Sequence, residues 1–177
     1  DTFLPREGSA REEDVVDAID NRAQVLRRFF AGLTEYAFHT RLGVTDPPLV
    51  DYLSELLVRF VRSDELTLPH DAQQRGGPAR QRVHRHIGDF TLFWTGVYPE
   101  VVDGMRRGGK DALLDYQQQG KRAYLIASSI PVEREIPPAD ILKRLSEQFE
   151  LCVYGLSEVR RQWEERDGED DAPLLLG

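Results

Sequence analysis

The chain has 177 residues, a net charge of -8 and a hydrophobic fraction of 40%, which is typical of one soluble globular domain with a sizeable core. No apolar run approaches the roughly 18 residues that a membrane span needs, and the start DTFLPREGSAREED lacks the pattern of a signal peptide. The negative charge opposes general binding to nucleic acid, while the only cysteine, Cys152, excludes an intrachain disulfide and fits a reducing cytoplasm.

Helical periodicity begins near the N-terminus. We predict a first helix from about Ala10, with Gly43 as its stop signal. Its apolar residues are spaced alternately four and three apart, which is the helical pattern. They are Ile19, Ala23, Leu26, Phe30, Leu33 and Ala37.

A second helix is predicted to follow at once. Asp46 stands before Pro47, which is the order expected of an N-cap and a first-turn proline. This helix should end near Arg62. The polar segment 63–78 contains prolines and glycines and is predicted to be a loop.

Three further helices are predicted in the middle of the chain. The first covers about 79–97, and a short one starts at Pro99 and ends near Gly108. Asp111 then caps another. The apolar face of the first of these is formed by Val83, Ile87, Phe90, Trp94 and Val97.

The C-terminal helix has the most regular pattern in the chain, after a proline-containing connector at 130–140. Seven apolar residues alternate by three and four. They are Leu142, Leu145, Phe149, Cys152, Leu156, Val159 and Trp163. The expected fold is therefore all-α, a single bundle of five to six helices over residues 1–165 with a long C-terminal heptad-patterned helix. Residues 166–177 are expected to be an acidic, flexible tail.

The apolar seam of this last helix is only as wide as a coiled-coil stripe, and such a seam needs one partner helix. We expect its first half to contact the rest of the bundle. Its second half, with Leu156, Val159 and Trp163, is expected to contact a second copy of the chain across a twofold axis.

Two histidines, His84 and His86, lie one residue apart at the start of an aromatic run. On a strand they could chelate one ion, but on a helix their side chains point about 200° apart. Because the surrounding apolar spacing is helical, they should not share a metal. We therefore predict neither a metal nor a cofactor.

A small-molecule site remains possible on the same helix. Asp89 stands three residues after His86 and could orient its imidazole. Nearby aromatic residues could complete a pocket, in which buried tyrosine hydroxyls would need polar partners. The candidate ligand-binding residues are His86, Asp89, Trp94, Tyr116 and Tyr124. The alternative is that they simply pack in the core.

The densest positive stretch of this acidic chain is 75–86. Its arginines could bind a phosphate or an acidic partner, or could be a solvated helix start. They are Arg75, Arg80, Arg82 and Arg85. Nucleic acid is nevertheless an unlikely partner because of the overall charge.

One further pair has helical spacing, since Glu35 and His39 are four residues apart and are predicted to point outward. Phosphate-binding loops and serine-nucleophile motifs are absent from the sequence, so no catalytic residue is predicted. We expect a non-catalytic cytoplasmic interaction or regulatory module that self-associates or binds another protein. The alternatives are a ligand- or metal-binding enzyme centred on His86 and Asp89, and an anion-binding protein that uses residues 75–86.

Overall fold

Helices make up nearly all of the described chain, which in this computed structural model comprises residues 7–62, 76–105, 109–133 and 137–170. Over those residues there is no strand, which confirms the predicted all-α class. The helices are α1 (Glu7–Glu35), α2 (Pro47–Val61), α3 (Gly77–Val97), α4 (Pro99–Met105), α5 (Gly109–Ser129), α6 (Ala139–Glu147) and α7 (Phe149–Asp170). None of these described helices is long and apolar enough to cross a membrane.

The described ranges contain seven α-helices rather than the predicted five or six. The difference arises at Gln148, where the predicted C-terminal helix divides into α6 and α7. The Gln148 N–H donates to the Arg144 carbonyl at 2.8 Å, and its own backbone leaves the helical region at φ -109 and ψ 27. The apolar spacing runs through the break unchanged, so periodicity alone could not locate it.

A π-helical turn, Tyr36–Arg41, follows α1 directly. It is closed by the N–H of Leu42 on the Ala37 carbonyl at 3.2 Å and by the N–H of Val44 on the Phe38 carbonyl at 2.8 Å. Gly43 between them has φ 66, a left-handed conformation that glycine adopts without steric penalty. The predicted stop at Gly43 is therefore confirmed.

The predicted N-cap of α2 is also confirmed. Asp46 accepts a hydrogen bond from the Leu49 N–H at 3.3 Å, and Pro47 is the first residue of the helix. The second carboxylate oxygen of Asp46 pairs with Arg144, which ties α2 to α6. Most of the loop predicted after α2 and the end of the acidic tail lie outside the described residues, although 166–170 continue α7.

Helix α3 packs against both α5 and α7, and glycines permit the closest approaches. A Cβ on Gly88 would lie 2.7 Å from the Tyr124 ring, and one on Gly120 would lie 2.7 Å from the Phe149 ring. On α7, a Cβ at Gly155 would lie only 2.0 Å from the ring of Phe38. These aromatic rings therefore rest directly on helix backbone.

The predicted interface at the end of the last helix is corrected by the structure. Leu156, Val159 and Trp163 are all buried within the single chain, and Trp163 is only 7% exposed. The Trp163 ring packs edge-on against Phe29 at 6.4 Å and Phe30 at 5.3 Å. Helix α1 covers this part of α7, which leaves these side chains no surface to offer a second copy.

Gly155→Ala is expected to destabilise the fold by about 1–3 kcal/mol, because the added methyl group cannot fit beside Phe38 without displacing it. Chemical denaturation monitored by circular dichroism measures the change. Gly168→Ala on the same helix is the control, since a Cβ there meets nothing within 4 Å. That control should be neutral or stabilising by up to about 1 kcal/mol. Equal effects of the two substitutions would contradict the proposed contact.

Candidate functional site

The carboxylate of Asp89 on α3 is the centre of a polar cluster, the Asp89 cluster, formed with Tyr52, Arg59 and Tyr124. The Asp89 side chain is 1% exposed. Its Oδ1 accepts hydrogen bonds from the Tyr52 hydroxyl at 2.6 Å and the Tyr124 hydroxyl at 2.7 Å. Its Oδ2 accepts one from an Arg59 Nη at 3.2 Å. Both oxygens of this buried charge are thus bound by donors.

Three helices supply these donors. Tyr52 and Arg59 are seven residues apart on α2 and so share a face of that helix. The Arg59 guanidinium also lies 5.9 Å from the centre of the Tyr52 ring. Tyr124 reaches Asp89 from α5, and its ring lies on the backbone of α3 because residue 88 is a glycine. The cluster therefore joins α2, α3 and α5.

The surroundings of Tyr52 and Tyr124 favour the protonated hydroxyl, which donates a hydrogen bond, over the ionised form. Burial raises the pKa of Tyr52 well above its ordinary value, and the negative charge of Asp89 raises it further. The same causes, in the same order, raise the pKa of Tyr124. Both hydroxyls keep their protons at neutral pH and stabilise the carboxylate. The arrangement suits the structural role of satisfying a buried charge rather than transferring a proton.

The predicted ligand residues are only partly brought together. Asp89 and Tyr124 are in contact, whereas His86 is buried with its ring stacked on Phe60 at 6.3 Å. Trp94 is half-buried in a separate aromatic group, 5.4 Å from Phe93 and 5.7 Å from Tyr98.

Tyr116 lies two turns before Tyr124 on α5, about 12 Å along the helix axis. It is half-buried. The five predicted residues therefore do not line one pocket.

The predicted anion-binding arginines also occupy different environments. Arg80 is exposed in the first turn of α3, while Arg82 and Arg85 are half-buried and already have partners. Arg75 lies outside the described residues. Burial lowers the pKa of the neighbouring His84, and the charge of Arg80 lowers it further.

The only cysteine is not an activated nucleophile. Cys152 is fully buried in the core, and this burial raises the pKa of its thiol to about 12. A thiol becomes an effective nucleophile only as the thiolate. At neutral pH this side chain therefore acts as a small apolar core residue.

Sequence reasoning missed Tyr52 and Arg59, although a signal was present. Both positions border the apolar face of α2, and a tyrosine and an arginine seven residues apart present two donors on one side of a helix. If Asp89 packs in the core, which is the alternative that the sequence leaves open, it needs donors of this kind. That requirement, rather than a sequence motif, could have identified them.

We also searched the described residues for a metal site and compared the chain with known proteins. Over the described ranges, no three or more His, Cys, Asp or Glu residues are grouped so that they could hold a metal ion. No family model matches the chain, and comparisons with curated proteins and with solved structures find no significant similarity.

Asp89→Ala is expected to destabilise the protein by about 3–5 kcal/mol, because it leaves Arg59 and two tyrosine hydroxyls without their common acceptor. Urea denaturation measures the loss. Asp115→Ala, an exposed position on α5, should change stability by no more than about 0.5 kcal/mol. A loss below about 1 kcal/mol for Asp89→Ala would show that the cluster contributes little to folding.

Proposed function

We propose that this chain is a non-catalytic helical interaction module that self-associates through the N-terminal half of α1. The observation that supports the proposal is the exposure of residues 11–22, every one of which is exposed although the segment is helical. Val15, Val16 and Ile19 are each more than half exposed. Three neighbouring apolar side chains on an uncovered helix are the expected feature of a contact surface.

The exposed residues continue the buried face of the same helix. Val16 and Ile19 project on the side of α1 that also carries Ala23 and Phe30. Ala23 and Phe30 are buried in the core, whereas the apolar face before them is uncovered. An isolated helical segment of about 12 residues is marginally stable in water, so a partner on this face would stabilise it.

The distribution of charge along α1 favours one partner for this face, a second copy of the chain in antiparallel orientation. Residues 12–20 carry five acidic side chains, and residues 22–28 carry three arginines. A parallel pair would place the acidic segments side by side, whereas an antiparallel pair places each acidic segment towards arginines of the other copy. Arg22 and Arg28 form no ion pair with any residue in the described ranges, while Arg27 lies 3.6 Å from Glu55.

The remaining features are consistent with a non-catalytic role. The Asp89 carboxylate has donors on both oxygens, and the Cys152 thiol stays protonated. In this proposal the other helices form a bundle around the Asp89 cluster, and α1 extends from that bundle as the contact surface. A single reduced cysteine supports a cytoplasmic location for this module.

Ile19→Glu is expected to weaken self-association at least about tenfold, because each copy would bury a charge in the apolar contact. Sedimentation equilibrium at micromolar concentration measures the constant. Leu125→Glu on α5 is a matched control, since Leu125 and Ile19 are both 51% exposed. A wild-type protein that remains monomeric at about 100 μM would contradict the proposal, and so would equal weakening by both substitutions.

The antiparallel orientation has its own test. The register that places Val16 beside Ile19 of the other copy also places Glu13 beside Arg22. Arg22→Glu should therefore weaken the dimer, and adding Glu13→Arg should restore it by exchanging the two charges. In a parallel dimer each of these positions would face the same position of the other copy. Adding Glu13→Arg would then not restore the dimer.

A further inference from the structure

A surface pocket lies between the end of α1 and the start of α2. One wall is formed by Ala31, Glu35 and His39, which follow each other at four-residue spacing along α1 and the π-helical turn. The opposite wall comes from the first two turns of α2 and includes Asp51 and Ser54. The cavity volume is about 360 Å³, which falls within the range of small-ligand sites.

The pocket contains uncompensated negative charge. Glu35 and Asp51 are exposed, and neither forms an ion pair with another residue of the described chain. Asp46 also lines the pocket, but its carboxylate already pairs with Arg144 and caps α2. Two carboxylates therefore remain for a ligand, beside the imidazole of His39.

A serine side chain that is largely buried at the pocket provides an independent observation. Ser54 lines the pocket although it is only 6% exposed, and its hydroxyl makes no hydrogen bond with any residue that the structure describes. The Oγ atom itself is not fully enclosed by protein, so the pocket leaves it open to water or to a ligand. A ligand donor in the pocket would replace water at this hydroxyl.

We propose that this pocket binds a small aliphatic amine through its ammonium group. The ammonium donates to Glu35, Asp51 and the Ser54 hydroxyl, while the alkyl chain lies on the apolar side chains of Val44 and Val50. The same chemistry is offered by a free diamine and by a lysine side chain of a partner protein. A metal ion is a poorer match, since no three His, Cys, Asp or Glu side chains of the described residues are grouped so that they could hold one.

This site is separate from the self-association surface. Glu35 is the last residue of α1, whereas Val15, Val16 and Ile19 lie about 24 Å or more away along the helix axis. Loss of self-association in Ile19→Glu should therefore leave amine binding unchanged. The two proposals can fail independently.

Isothermal titration calorimetry at low ionic strength tests the pocket, with putrescine and Nα-acetyl-lysine methylamide as probes. At least one probe should bind saturably with a Kd below about 1 mM. Glu35→Gln combined with Asp51→Asn should weaken that binding at least tenfold. Ser54→Ala should weaken it several-fold without changing the net charge, and circular dichroism should show that both variants remain folded.

The matched control is Asp115→Asn combined with Glu133→Gln, which removes the same charge from two exposed positions outside the pocket. This variant should bind the probe as the wild type does. Binding of putrescine alone identifies a free amine as the ligand, and binding of the lysine derivative alone identifies a partner's side chain. The proposal is overturned if neither probe binds, if the control loses as much affinity as the pocket variant, or if magnesium chloride binds the pocket in place of the amines.

Discussion

A buried carboxylate on α3 connects three helices of this fold. Asp89 has almost no contact with solvent, and an isolated charge in that environment would be strongly unfavourable. The hydroxyls of Tyr52 and Tyr124 and the guanidinium of Arg59 compensate it from two other helices. Gly88 permits this arrangement because only a residue without Cβ lets the Tyr124 ring approach α3 closely enough. One acceptor thus links α2, α3 and α5, in addition to their apolar contacts.

Local sequence features are sufficient to predict the all-α class and several helix ends, but not which helices pack together. The N-cap at Asp46 and the stop at Gly43 follow from backbone geometry that a few neighbouring residues determine. The break at Gln148 leaves the apolar spacing intact and so gave no signal. The apolar spacing places Trp163 on a covered face of the helix, but it does not show which helix covers that face. The helix that covers Trp163 is α1, more than a hundred residues earlier in the chain.

The polar cluster was less predictable for a related reason. Asp89 was identified as a candidate, yet its expected role was to orient His86 on its own helix. The actual donors come from α2 and α5, and such long-range pairings depend on how the helices pack together. The pocket beside Glu35 and His39 illustrates the same limit. The sequence predicts that both residues point outward, and both are exposed, but it gives no sign that α2 forms the wall facing them.

The central role of the Asp89 cluster is tested most directly by a double-mutant cycle on Tyr52 and Tyr124. Both hydroxyls donate to the same oxygen, so either one partly compensates for loss of the other. The account predicts that Tyr52→Phe and Tyr124→Phe together cost more stability than the sum of the two single losses, by about 1 kcal/mol or more. Denaturation of the four proteins gives this coupling energy. Single losses that simply add, to within about 0.3 kcal/mol, would contradict a shared buried acceptor.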